Sequence, residues 1–182
     1  MVILSREFFT MKVGTKSLLF GVHQVFLHPW FVAFSWWKLY GFPWDPRLWV
    51  AFFVHDLGYW GKPNMDGPEG EQHPRLGARI MYLLFDHEWS DFCLFHSRFF
   101  SRHFGEEPSR LCYADKMAIV VTPWWIYLPL ARLSGELDEY MTRGRNPRGK
   151  YAEEGQTSTS PREWHRQMQD FVSGWIQRET AS

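Results

Sequence analysis

Ala51-Phe-Phe-Val-His55-Asp56-Leu57-Gly58 is an apolar run that carries a histidine and an aspartate side by side, then breaks at a glycine. Burying two strong metal ligands is costly unless something coordinates them. Further candidates follow the same grammar: His28 before Pro29, His73 before Pro74, His96 in an aromatic stretch, and Asp115 beside Lys116. A mixed histidine and carboxylate set suits divalent iron, manganese, zinc or cobalt. A lone histidine on an apolar helix is more often a hydrogen-bonded core residue, so the information lies in the set. Neighbouring residues on a helix point about 100° apart, so Asp56 could bridge two metals while His55 binds one. Two positions have rivals. His23 competes with His28, and His103, two turns from His96 on one helix face, competes with His96.

Helices must position these residues, because the chain has helical apolar spacing and no alternating strand pattern of useful length. A first helix is expected over residues 16–27 and a second from Pro29 to about Tyr40, closed by Gly41. Asp45-Pro46 reads as an N-cap and first-turn proline for a helix to about Leu57, whose last turn would carry His55 and Asp56. Residues 58–72 hold four glycines and two prolines, and form a long loop of the kind that often carries function. A helix to about Phe85 follows, with Leu76, Ile80, Leu83 and Leu84 on its inner side. Another runs from Ser90 to about Phe104, one carrying Asp115 and Lys116 ends near Val121, and one from Pro123, kinked at Pro129, reaches about Met141. Ser160-Pro161-Arg162-Glu163 is a capping box opening an amphipathic last helix. The expected layout is all-α: a helical metal-binding domain over 1–142, a polar loop or linker over 143–159, and a helix over 160–182 packed back on the same domain.

Formal charge balances to zero, which gives no global preference for nucleic acid or anionic lipid. Cys93 and Cys112 stand in no zinc-finger spacing and are expected as buried free thiols in a reducing compartment. Residues 17–37 lack Lys, Arg, Asp and Glu, but His23, Gln24, His28 and Pro29 interrupt them, so a cytoplasmic chain is expected rather than a membrane span. The aromatic stretches 30–37 and 122–130 are either core or a surface for a partner.

The order His…His-Asp…His…His…Asp resembles the HD superfamily of metal-dependent phosphohydrolases. His28-Pro-Trp-Phe-Val32-Ala33 is similar to that family's first-ligand helix, and Trp49 to Gly58 to its apolar run ending in His-Asp-Leu-Gly. Glu71-Gln-His73-Pro-Arg-Leu-Gly77-Ala78 resembles the His…Gly-Ala phrase of members holding two metals, and Ala114-Asp115-Lys116 the last-ligand phrase. The resemblance spans about residues 20–120, and the loop 58–72 matches no subfamily phrase. It implies a single HD-domain-like helical bundle with an extra C-terminal amphipathic helix. It also implies one metal on His28, His55, Asp56 and Asp115, and a second brought by His73 and His96.

By that resemblance, two divalent ions activate a water for attack on phosphorus, with Asp56 bridging them. The substrate is then a small phosphate ester or nucleotide. Lys116 and Lys62 are the favoured phosphate-binding cations by their closeness to ligands in sequence; Arg75, Arg79, Arg98, Arg102 and the basic loop around Arg143, Arg145, Arg148 and Lys150 are further candidates. Six-ligand members of the family also include mixed-valent di-iron oxygenases that cleave C–C or C–P bonds, and the ligand set does not separate the two chemistries. Hydrolysis is preferred as the commoner one, which is an argument by analogy. A degenerate, non-catalytic domain is the third reading, and the complete ligand set weighs against it.

Overall fold

A computed structural model describes residues 11–144 and 160–180, and all regular structure in them is helical. The helices, in chain order, are α1 (Val13–Phe20), α2 (His28–Tyr40), α3 (Pro46–Val54), α4 (Pro74–Leu84) and α5 (His87–Leu94). They continue with α6 (Arg98–Phe104), α7 (Arg110–Val121), α8 (Trp124–Ser134), α9 (Glu136–Gly144) and α10 (Pro161–Thr180). Two 3-10 turns, Leu57–Tyr59 and Gly70–Gln72, bracket the long loop. The expected linker lies almost wholly outside the described residues.

Local chemistry explains most boundaries. Asp45 caps α3 by accepting from the Arg47 amide at 2.9 Å, and Pro46 supplies the first-turn residue. Gly41 ends α2 at φ 87°, a conformation that favours glycine. Several helices are shorter than the spacing predicts. The first stops at Phe20, before Gly21, and not near His28. The stretch after Ser90 is two helices, with Asp86 and Ser97 each capping one and His96 in the break. The stretch after Pro123 is also two, divided at Gly135 (φ 90°) rather than at Pro129.

The largest correction concerns α4. Leu76, Leu83 and Leu84 face outward, and Gly77, Ala78 and Met81 face the core. Close approach, not apolar area, decides that face. A Cβ on Gly77 would stand 2.7 Å from the Val54 carbonyl and 2.8 Å from Cys93 Sγ, so α4 sits directly against α3 and α5.

Two cores result. One gathers Val32, Trp36, Phe52, Met81 and Leu111 from α2, α3, α4 and α7. The other gathers Leu18, Tyr59, Tyr127, Tyr140 and Trp164, and so includes the C-terminal helix. The turn from His55 to Tyr59 runs from the first core to the second. Cys93 and Cys112 are buried and free. Much of the aromatic content lies outside both cores: Trp30, Phe34 and Trp37 line an exposed strip of α2, and Trp124 and Trp125 are also exposed. Among the described residues no single helix is long and apolar enough to cross a membrane.

Candidate metal centre

Helix ends and breaks deliver five of the six candidate ligands, and the middle of α7 delivers Asp115. α3 stops at Val54, so His55 and Asp56 occupy the step into a 3-10 turn and not the last α-helical turn. His28 opens α2 and His73 stands immediately before Pro74 of α4. His73 keeps helical angles (φ −55°, ψ −35°) despite the following proline, so the 3-10 turn at Gly70–Gln72 feeds straight into α4. His96 sits in the break between α5 and α6, and Asp115 lies on the buried face of α7.

All six side chains are buried, and they converge into two groups that share one residue. His28, His55, Asp56 and Asp115 form one; Asp56, His73 and His96 form the other, with ligand atoms within 4.8 Å of one another in each. Asp56 divides its carboxylate between them. Its Oδ2 faces His28 Nε2 at 3.3 Å and His55 Nε2 at 3.2 Å, while its Oδ1 faces His73 Nε2 at 3.5 Å and His96 Nε2 at 3.6 Å. Asp115 Oδ1 closes the first group, 3.0 Å from His28 Nε2 and 3.6 Å from His55 Nε2.

Backbone carbonyls fix three of the imidazoles. The Nδ1 of His55, His73 and His96 lies against the carbonyl of Phe52, Gly70 and Cys93, respectively. A carbonyl only accepts, so each Nδ1 carries the proton and each Nε2 points inward. His73 Nε2 and His96 Nε2 then face each other at 3.0 Å with two lone pairs between them. That contact is repulsive unless a proton or a cation stands there. His55 Nε2 and Asp56 Oδ2 are buried without a hydrogen-bond partner. Metal–ligand bonds of about 2.1 Å place neighbouring ligand atoms about 3.0–3.4 Å apart. The donor type, the orphaned atoms and the spacings fit metal binding by these groups.

Electrostatics keep both carboxylates ionised and His73 neutral, while burial, which lowers the His55 pKa, is outweighed by Asp56 and Asp115, which raise it to about 10. Burial alone would raise the carboxyl pKa of Asp56, but charge and hydrogen bonds from His55 and His96 hold it well below the ordinary range. For Asp115, burial is likewise outweighed, by Lys116 and by His28 and His55. His73 is pushed well down by burial and by His96, which leaves its ring neutral and able to ligate.

The rivals resolve by position. His103 is exposed and stacks on Phe99. His23 lies near the centre but outside both groups: its Nδ1 is 3.0 Å from Glu136 Oε2 and 3.0 Å from Ser17 Oγ. Burial lowers the His23 pKa, yet Glu136, aided by Asp56 and Asp115, raises it to about 9. Sequence reasoning missed this arrangement. Glu136 is fully buried and also accepts from Ser134 and Tyr140 hydroxyls, but it is separated from His23 by more than half the chain, and only the packing of α1 on α8 joins them. Tyr59, one of the aromatics close to the ligands in sequence, stacks on His73 with centroids 3.9 Å apart.

Of the expected cations, Lys116 is at the site, its Nζ 2.6 Å from Asp115 Oδ2. A cavity opens on the cluster, lined by His28, His73, Asp115, Lys116 and Arg98 and by residues of α8 and α10. Lys62 is not among its lining residues; it joins the α1 end, where its carbonyl accepts from the Gly14 amide. Arg75, Arg79 and Arg102 are exposed and do not line the cavity. Compared with known proteins, the chain matches no family model, no curated protein and no solved structure.

Proposed function

We propose that this chain is a binuclear metal-dependent phosphohydrolase acting on a small phosphate ester or nucleotide. The observation that carries the reading is the division of Asp56 between two histidine pairs, which gives one carboxylate oxygen to each of two neighbouring metal sites. Two divalent ions in these sites would supply Lewis acidity, charge neutralisation on phosphate oxygens and a water of lowered pKa. The protein's own part is positioning and charge. Asp56 and Asp115 stay ionised, and the three carbonyl-anchored imidazoles hold their lone pairs inward. Lys116 spends one N–H on Asp115 and turns its partly exposed ammonium to the cavity, where it can hold a phosphate oxygen. His23, gripped at Nδ1 by Glu136, presents its opposite edge as a second cationic donor. Tyr59 shields the His73 ring from water.

The apolar part of the cavity's wall favours a second reading, an oxygenase of the mixed-valent di-iron type acting on a small organic substrate. Oxygen separates the two. Metal analysis of purified protein is expected to give two ions per chain, and hydrolysis of a phosphate ester is expected to proceed without oxygen. One ion or none would defeat the binuclear assignment. Oxygen consumption with a mixed-valent iron EPR signal, and no anaerobic phosphate release, would transfer the site to the second reading.

A further inference from the structure

The cavity has two kinds of wall. Beside the proposed ligands it is lined by the charged side chains His23, Arg98, Lys116, Asp66, Glu71 and Asp115. Lys116 is already paired with Asp115, and Arg98 lies over the rings of Phe171 and Trp175 at 5.9 and 5.4 Å.

The apolar part of the wall is built largely by α10. Trp164, Met168, Phe171 and Val172 face the cavity from successive turns, across from Tyr127 and Leu130 of α8. Gln169 locks that helix in place by donating to the carbonyls of Ile119 and Val120 on α7, both at 3.1 Å. Trp164 is stacked on Tyr140, with centroids 5.2 Å apart and planes 14° from parallel.

Size sets the limit. The cavity measures about 180 Å³. An apolar cavity of about 150 Å³ accepts one benzene, and pockets for drug-sized ligands begin at about 300 Å³. Room exists for a phosphate and one ring-sized apolar group, not for a base, a sugar and a phosphate together.

Resting on the phosphohydrolase reading, we infer that the substrate is a small phosphate monoester whose single apolar group, about one ring in size, lodges against α10. On size, a nucleotide is then the poorer ligand.

Calorimetry on the manganese-loaded full chain tests this with phenylphosphonate, methylphosphonate and adenosine 5′-monophosphate. Phenylphosphonate is expected to bind about tenfold or more tighter than methylphosphonate, the order that burying a ring gives, and tighter than the nucleotide. Met168→Trp fills the space along the apolar wall and Phe171→Ala strips that wall, and either is expected to cut the phenyl-to-methyl ratio to about twofold or less. Phe171 is only half-buried, so its variant carries the comparison if Met168→Trp does not fold. Equal binding of the two phosphonates, tighter nucleotide binding, or an unchanged ratio in the folded variants would overturn the inference and leave the phosphate reading standing. If no phosphonate binds the metal-loaded chain, the phosphate reading itself falls and this inference falls with it.

Discussion

Asp56 has no substitute among its neighbours, because each of its oxygens serves a different pair of histidines. Asp56→Ala is therefore expected to lose both ions, read as a fall in metal content from two per chain to none, and to abolish turnover. Retention of metal and activity would show that the cluster is not a metal centre. Lys116→Met tests a narrower role. It should keep the metals and raise KM for a phosphate ester about tenfold, the usual scale for one charged contact. A buried histidine away from the centre gives a pH test. Burial lowers the His165 pKa to about 4 from an ordinary 6.5. Between those values the unfolded chain binds a proton that the folded chain refuses, so stability falls as pH drops through that window and is unaffected above it. Chemical denaturation at stepped pH should show that slope, and His165→Leu should flatten it. The six ligand candidates were legible in the sequence because each is polar at an apolar helix terminus or inner face that needs nothing polar. Glu136 gave no such sign, since it falls inside the helix expected from Pro123 to about Met141, where a glutamate reads as an ordinary surface residue until the fold seals it against His23.

At the scale of elements, the centre depends on how closely α4 and the turn after Asp56 approach each other. A Cβ on Gly58 would collide with the His73 carbonyl, so no side chain fits there. Gly58→Ala should push the His55-Asp56 turn off the His73 end. The expected result is one ion per chain instead of two, with a stability loss of about 1–3 kcal/mol. Unchanged metal stoichiometry would show that the turn has slack. This also explains what periodicity misread. Leucines at helical spacing pointed to the wrong face of α4, because the face that packs is chosen for small residues. Likewise the prolines after His28 and His73 were legible as helix starts, whereas the ends of the preceding elements were set by tertiary contacts and lay elsewhere. The all-α class itself followed from spacing alone, since nearly every break falls at a cap, a proline or a glycine.

Across the whole molecule, metal binding is expected to couple to folding. With no proton between them the His73 and His96 Nε2 atoms oppose their lone pairs, and an ion at that position would remove the repulsion. Divalent ion at about 100 times its Kd should add about 2.7 kcal/mol, or about 5–10 °C in melting temperature for a chain of this length. A scanning melt with and without manganese, using a chelator as control, reads it directly; no shift would mean the ligands do not bind in the folded state.

The second core carries a different consequence. Every proposed ligand lies at or before Asp115, while the wall that closes the cavity comes from α10, the last described helix in chain order. During synthesis the ligands leave the ribosome well ahead of Trp164. On the proposed reading, a nascent chain would collect its ions before it has any enclosure to choose what meets them. Reactivity without discrimination would then be a stage that ends when α10 docks.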